Sequence, residues 1–134
     1  MTGYLLDTST CVALFRGNRE VEQRLSAVNP ETCYISDVVV AELVFGAYKS
    51  DRTEQNLQQI YEFLEEIKVI PFADCIDTFC QEKVRLQKMG TPLEDFDLLI
   101  GCAAKAKGLV VVTHNTKHFE RIEGIVIEDR VTKK

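Results

Sequence analysis

The feature that most constrains this chain is a set of short apolar runs that do not alternate with polar residues. Tyr4-Leu5-Leu6, Cys33-Tyr34-Ile35, Val69-Ile70, Leu109-Val110-Val111-Val112 and Ile125-Val126-Ile127 are each only a few residues long and apolar throughout. A strand of that kind has to be covered on both faces, which points to a parallel sheet between helices. The stretches between the runs carry helical spacing. The expected class is therefore α/β: a central, mostly parallel sheet of four to five short strands with helices on both faces. Right-handed crossovers then bring the C-terminal ends of the strands along one edge, where such sheets place their sites.

The helices can be placed from spacing and caps. Cys11, Val12, Leu14 and Phe15 lie on a helix that Gly17 stops, and Val21, Leu25 and Val28 on a second that ends before Pro30. Ser36-Asp37 reads as an N-cap for residues 38–48, where three valines favour strand but the length favours helix. Asp51 with Glu54 looks like a capping box opening a helix with Leu57, Ile60, Tyr61, Leu64 and Ile67 on one stripe. Ile76, Phe79, Cys80 and Val84 mark another, closed by Gly90. A helix over 95–107 ends at Gly108, a short helical turn covers 116–121, and 131–134 reads as a frayed tail.

All 134 residues are expected to form one domain. No apolar run approaches the ~18 residues of a membrane span, and no charged leader precedes an apolar region. The five cysteines are an odd number with no CxxC pair. They are expected as small buried apolar residues in a reducing cytoplasm, not as a disulfide framework or zinc ribbon.

With 21 acids against 16 bases, the formal charge of −5 excludes a bulk electrostatic grip on nucleic acid. A local basic groove, or nucleic acid held through a divalent metal, stays open. Three acids stand where acids are unexpected. Asp7 ends the first buried run, where it also suits a helix N-cap. Glu42 is the one charged residue between positions 38 and 48. Asp97 opens the apolar segment Leu98-Leu99-Ile100-Gly101-Cys102, where the helix dipole also favours it. The fold directs all three toward one edge. Like charges gathered there repel, and a divalent cation with hard oxygen ligands relieves that repulsion. Such a site can activate water and stabilise an in-line phosphoryl displacement. Asn115 and Glu120 are candidate fourth members, and Thr8, Ser9 and Thr113 supply hydroxyls able to orient carboxylates. Lys83, Arg85, Lys88, Lys117 and Arg121 are sparse candidates for RNA contact, and each equally suits a solvated helix face.

Several strings carry a family resemblance. They are Leu6-Asp7-Thr8-Ser9, Ala41-Glu42-Leu43-Val44-Phe45-Gly46-Ala47, and Gly90-Thr91-Pro92-Leu93 with Phe96-Asp97-Leu98-Leu99-Ile100. The series continues with Val112-Thr113-His114-Asn115-Thr116-Lys117-His118-Phe119-Glu120-Arg121 and closes with Glu128-Asp129. In order and spacing the chain resembles a PIN-domain ribonuclease of the VapC toxin group over nearly its whole length. The resemblance implies a PIN-like three-layer α/β/α fold and an endoribonuclease that uses Mg²⁺ or Mn²⁺. It further implies inhibition by a cognate antitoxin, and a homodimer within a larger toxin–antitoxin assembly. Asp7, Glu42 and Asp97 match the three core acids. Asn115 stands where many PIN domains have a fourth acid, and Glu120 is the candidate to supply that charge. Gly101 replaces the usual alanine and Arg130 the usual tryptophan. Known targets of the group include tRNA and a ribosomal RNA loop.

Rival classes fit less well. A haloacid-dehalogenase-type phosphotransferase needs a second Asp where Ser9 stands, and a receiver domain needs its acceptor Asp where Pro71-Phe72 stands. Neither GxxxxGK nor GxGxxG is present. Two histidines, His114 and His118, read as groove or surface residues. The alternative from another class is a catalytically inactive PIN-like binding protein.

Overall fold

The computed structural model describes residues 2–17, 19, 22–23 and 30–129. The helix expected around Val21, Leu25 and Val28, Arg130 and the 131–134 tail lie outside the described residues. Strands β1 (Tyr4–Leu6), β2 (Cys33–Ser36), β3 (Lys68–Ile70), β4 (Val110–Val112) and β5 (Val126–Glu128) form one parallel sheet in the order β3-β2-β1-β4-β5. β1 lies at its centre, with Leu5 opposite Tyr34 on one side and Val111 on the other. Leu5 and Leu6 are accordingly buried, whereas Val69 and Val126 on the edge strands are exposed.

From β1 the chain steps outward through β2 to β3, then returns to lay β4 on the other side of β1. Right-handed crossovers assign the helices of the outward path to one face: α1 (Thr8–Phe15), α2 (Asp37–Lys49) and α3 (Thr53–Leu64). The return path puts α4 (Ile76–Lys88), α5 (Asp95–Lys107) and α6 (Thr116–Phe119) on the other. Packing largely reflects this division, with α2 against α1 and α3 and α5 against α4 and α6, and α2 and α5 also touch one another. The reversal falls between β1 and β4, so the crevice at their C-terminal ends is the switch point where α/β sheets bind ligands.

Local chemistry explains the boundaries. The Ser36 hydroxyl accepts the Val39 N–H at 3.2 Å and starts α2, where Val39, Leu43 and Ala47 are buried at helical spacing. Gly108 ends α5 in the left-handed region at φ +67°. At Gly101 a Cβ would sit 2.2 Å from Ile122 Cδ1 and 3.1 Å from Phe119 Cδ1, so glycine lets α5 approach the α6 segment closely.

Several expectations require correction. Asp51 builds no capping box: Arg52 occupies the N-cap of α3 without a side-chain bond. Ser50 organises that turn instead, its hydroxyl accepting the Arg52 N–H at 3.2 Å and Asn56 Nδ2 at 2.9 Å. Tyr61 leaves the α3 stripe for solvent, and Phe63 packs edge-on against Phe15 with ring centroids 5.2 Å apart. On α4, Ile76, Cys80 and Val84 are exposed, and the buried positions are Glu82 and Leu86. Cys80 is thus not a core residue, whereas Cys11, Cys33, Cys75 and Cys102 are buried.

Glu82 reverses the expected polarity of α4 because it is fully neutralised. Arg85 Nε donates to Oε2 at 3.1 Å, the Glu123 N–H to Oε2 at 2.8 Å, and Lys105 Nζ to Oε1 at 3.2 Å. Burial alone would raise its pKa. The hydrogen bonds from Arg85, Glu123 and Lys105, together with the Lys105 charge, outweigh that and hold it at about 2 against an ordinary 4.5. A depressed carboxyl pKa stabilises the fold above the unfolded value, and that contribution disappears as pH falls through the folded value. Glu82→Gln is therefore expected to lower stability by about 3 kcal/mol at neutral pH. In urea unfolding curves the difference from the parent should shrink as pH falls from 4.5 toward 2.

Candidate active site

Asp7 sits where β1 ends and α1 begins, and both elements use it. Its carboxylate caps α1 by accepting the Thr10 N–H at 2.9 Å. Its own N–H donates to Val112 O of β4 at 3.1 Å, carrying the sheet ladder one residue further. The side chain is buried, and the fold satisfies it with hydroxyls. Ser9 Oγ lies 2.8 and 2.9 Å from its two oxygens, and Thr113 Oγ1 donates to Oδ2 at 2.5 Å from the end of β4. Thr113 in turn accepts the Asn115 N–H at 2.9 Å. Thr10 Oγ1 donates to Val112 O at 2.8 Å and pins α1 to β4. Asp7 therefore lies at the switch point itself.

Glu42 comes from α2 and is only partly exposed. Thr8 Oγ1 donates to its Oε1, linking the first turn of α1 to the middle of α2. Burial is the largest influence on its carboxyl and raises the pKa above 4.5; the Thr8 hydrogen bond opposes this, and the charges of Asp97, Asp7 and Glu94 raise it further. Glu42 thus feels the charges of both Asp7 and Asp97. Asp97 lies in the first turn of α5, and its Oδ2 meets His118 Nδ1 at 3.0 Å. The position of His118 was not anticipated beyond a groove or surface role. The available signal was its place just past the fourth apolar run, at the same edge as Asp97.

The remaining candidates divide. Thr8, Ser9 and Thr113 all hold carboxylates. Asn115 forms the N-cap of α6 without a side-chain capping bond, and Glu120 is exposed at the C-cap. Among the basic candidates, Lys83 pairs with Asp95 at 3.0 Å and lies over the Phe79 ring. Arg85 is committed to Glu82, and Arg121 Nη1 donates to Pro92 O at 2.7 Å. Lys88 and Lys117 are exposed.

Among the described residues no group of three or more His, Cys, Asp or Glu side chains is placed to hold a metal ion. The donor chemistry nonetheless fits a hard divalent cation. Among the described residues Asp7 and Glu42 are met by hydroxyl and backbone donors and not by lysine or arginine, and Glu42 feels the charges of Asp97 and Asp7.

Residues 4–125 match the family model described as PIN domain. The tRNA(fMet)-specific endonuclease VapC of Salmonella typhimurium is 36% identical over 131 residues, which span 96% of this chain and 98% of that protein. Ribonuclease VapC2 of Rickettsia felis is 34% identical over 130 residues, or 94% and 96% of the two chains. Among solved structures, DNA-bound VapBC from Salmonella typhimurium aligns with a TM-score of 0.89 at 34% identity, covering 96% of this chain and 98% of that one.

The raised pKa of Glu42 has a definite sign. The folded protein holds that proton more tightly than the unfolded chain, so the penalty is complete above the folded pKa and vanishes below the unfolded value of 4.5. Glu42→Gln keeps an acceptor for Thr8 and removes the charge. In EDTA at pH 7 it is expected to be more stable than the parent by on the order of 1 kcal/mol, the usual yield of relieving charge repulsion. Thermal unfolding at pH 4 should show the advantage gone.

Proposed function

The chain belongs to the PIN-domain family, among the VapC ribonucleases, and on that footing we propose that it cleaves RNA with Mg²⁺ or Mn²⁺ held by Asp7, Glu42 and Asp97. Its membership makes it the ribonuclease toxin of a toxin–antitoxin pair. What supports the metal assignment is that Asp7 ends β1 beside β4, that Thr8 of the same turn bonds Glu42, and that the charges of Asp97 and Asp7 add to burial in raising the Glu42 pKa. The tRNA(fMet)-specific name of the 36% identical relative favours a transfer RNA as substrate over a ribosomal RNA loop.

A divalent ion supplies acidified water at neutral pH and neutralises charge that builds on the phosphate. The protein groups prepare for it. Ser9, Thr113 and the Thr10 N–H fix the Asp7 carboxylate by donating to it. Thr8 fixes Glu42 in the same way, and His118 fixes Asp97. Orientation of this kind by outer partners sharpens ligand geometry. The net acidity of the chain fits recognition of RNA by shape more than by charge.

The partner is a cognate antitoxin. The solved neighbours from Salmonella typhimurium and Rickettsia felis are VapBC assemblies bound to DNA. On this chain a groove of about 290 Å³ runs between α1, α2 and α3, lined by Val12, Phe15, Leu43, Ala47 and Ile60 among others. Phe45, Tyr48 and Tyr61 are exposed on the same helices. That surface suits an amphipathic antitoxin segment. A homodimer within the larger assembly completes the proposal.

Antitoxin-free protein is expected to cut transfer RNA only with Mg²⁺ or Mn²⁺, leaving 5′-phosphate and 3′-hydroxyl ends. Asp97→Asn should slow cutting by orders of magnitude while the fold persists. Sequencing of the cut ends checks this; robust cleavage in excess EDTA, or RNA binding without cleavage under any metal, overturns it. Phe45→Glu is expected to weaken inhibition by the co-encoded antitoxin at least about 10-fold, as loss of an aromatic anchor does, without changing RNA cleavage. Titration of antitoxin against activity measures that.

A further inference from the structure

Arg121 is one of the few bases near the candidate site, which invites its assignment to RNA. Its hydrogen bonds run to neighbouring protein segments instead. Nη1 donates to Pro92 O at 2.7 Å, and its own carbonyl accepts from Arg85 Nη2 at 2.7 Å. Arg85 is in turn held by buried Glu82, which also accepts the Glu123 N–H at 2.8 Å and Lys105 Nζ at 3.2 Å. Residues 121–123 are thus tied to α4 and α5 on one side and to the turn before α5 on the other.

That turn is otherwise held at its α4 end by the Thr91 N–H bond to Leu86 O and by Leu93 packing on the core. Residues 89–92 and 94–96 are exposed, and Leu93 is half-buried. Among the described residues its polar ties to other elements are the Thr91 N–H bond to Leu86 O of α4 at 3.0 Å, the Arg121 bond at Pro92 and the Lys83–Asp95 pair at 3.0 Å. Glu94 O receives the Leu98 N–H at 3.0 Å, so the turn runs directly into the first turn of α5 and Asp97. The opposite end of the same brace is α6, whose His118 meets Asp97 at 3.0 Å.

We infer that Arg121 is a positioning residue, a strut braced by the Glu82 network that sets the 90–94 turn and with it Asp97, and not a contact for RNA. The inference rests on the proposed role of Asp97. Arg121 is exposed, but its Nη1 is committed to the Pro92 carbonyl, which fixes the direction of the guanidinium toward the turn. It is well placed to transmit the rigidity of a neutralised buried carboxylate to an exposed turn. Partners that orient metal ligands are worth about 10–100-fold in affinity or activity when removed.

The test compares Arg121→Ala with the parent in three measurements on the full chain. Hydrogen–deuterium exchange on metal-free protein should quicken in residues 91–97 and stay unchanged in β1 and β4. Mn²⁺ binding without RNA, followed by electron paramagnetic resonance, should weaken by about 10-fold or more. With Mg²⁺ and transfer RNA, kcat should fall by a similar factor while KM stays within about 2-fold. A mere loss of folded protein would lower kcat without moving Mn²⁺ affinity, and would quicken exchange in β1 and β4; that result overturns the inference. So does a raised KM with kcat and exchange unchanged, which would make Arg121 an RNA contact. Should Arg121→Ala not fold, Arg121→Lys decides, because lysine replaces arginine as a phosphate contact but not as a planar strut. Slower turnover at unchanged KM supports the strut, and wild-type kinetics refute it. If no variant or parent cuts RNA, the proposed function fails, while exchange and Mn²⁺ binding still judge the strut.

Discussion

The bond from Thr113 Oγ1 to Asp7 Oδ2, at 2.5 Å, joins the ends of the two strands between which the chain reverses direction. Much else depends on it. A parallel sheet leaves its strand ends without ladder partners, and here a buried carboxylate takes up the N–H and hydroxyl groups that converge there. The same side chain caps α1, so the helix that carries Thr8 starts from the candidate site itself. Thr8 then reaches across to Glu42 and sets α2 relative to α1. One aspartate thereby couples sheet order, helix position and the placement of the second acid.

Two glutamates illustrate how differently the fold treats a charge taken from water. Glu82 is surrounded by Arg85, Lys105 and a backbone N–H, and its proton is lost even in acid. Glu42 has one hydroxyl for support and acidic neighbours, and it retains its proton more readily than a free side chain. The first arrangement stabilises the fold and closes the site off; the second leaves a site short of positive charge. An uncompensated carboxylate beside others is a stability cost that a structural role alone would not explain. A neutralised one at the back of α4 and α5 gives the 121–123 segment a rigid support.

Legibility from the chain alone differed by element. The solid apolar runs led to strands within a residue or so of those observed, and the caps at Ser36 and Gly108 act as expected. The apolar pattern of α4 misled. Ile76, Cys80 and Val84 share helical spacing but face solvent, because the Glu82 ion network holds the opposite side against α5. Helical periodicity shows that a face exists; it does not show which face is buried when a charge is neutralised by residues distant in sequence. Asp51 failed as a cap for a related reason. Ser50 already gathers the donors of that turn.

What the sequence determined by itself was the class of sheet and the edge at which its strands end. These follow from local facts: strand runs apolar on both faces and crossovers of fixed hand. What only the tertiary structure decided was how each charge is answered. Thr8 is paired with Glu42, Thr113 with Asp7, His118 with Asp97, and Arg121 with the Pro92 carbonyl. Each of these pairs spans at least 21 positions. A residue's identity states which bonds it can make, but at such separations the partner is chosen by the packed position of whole elements.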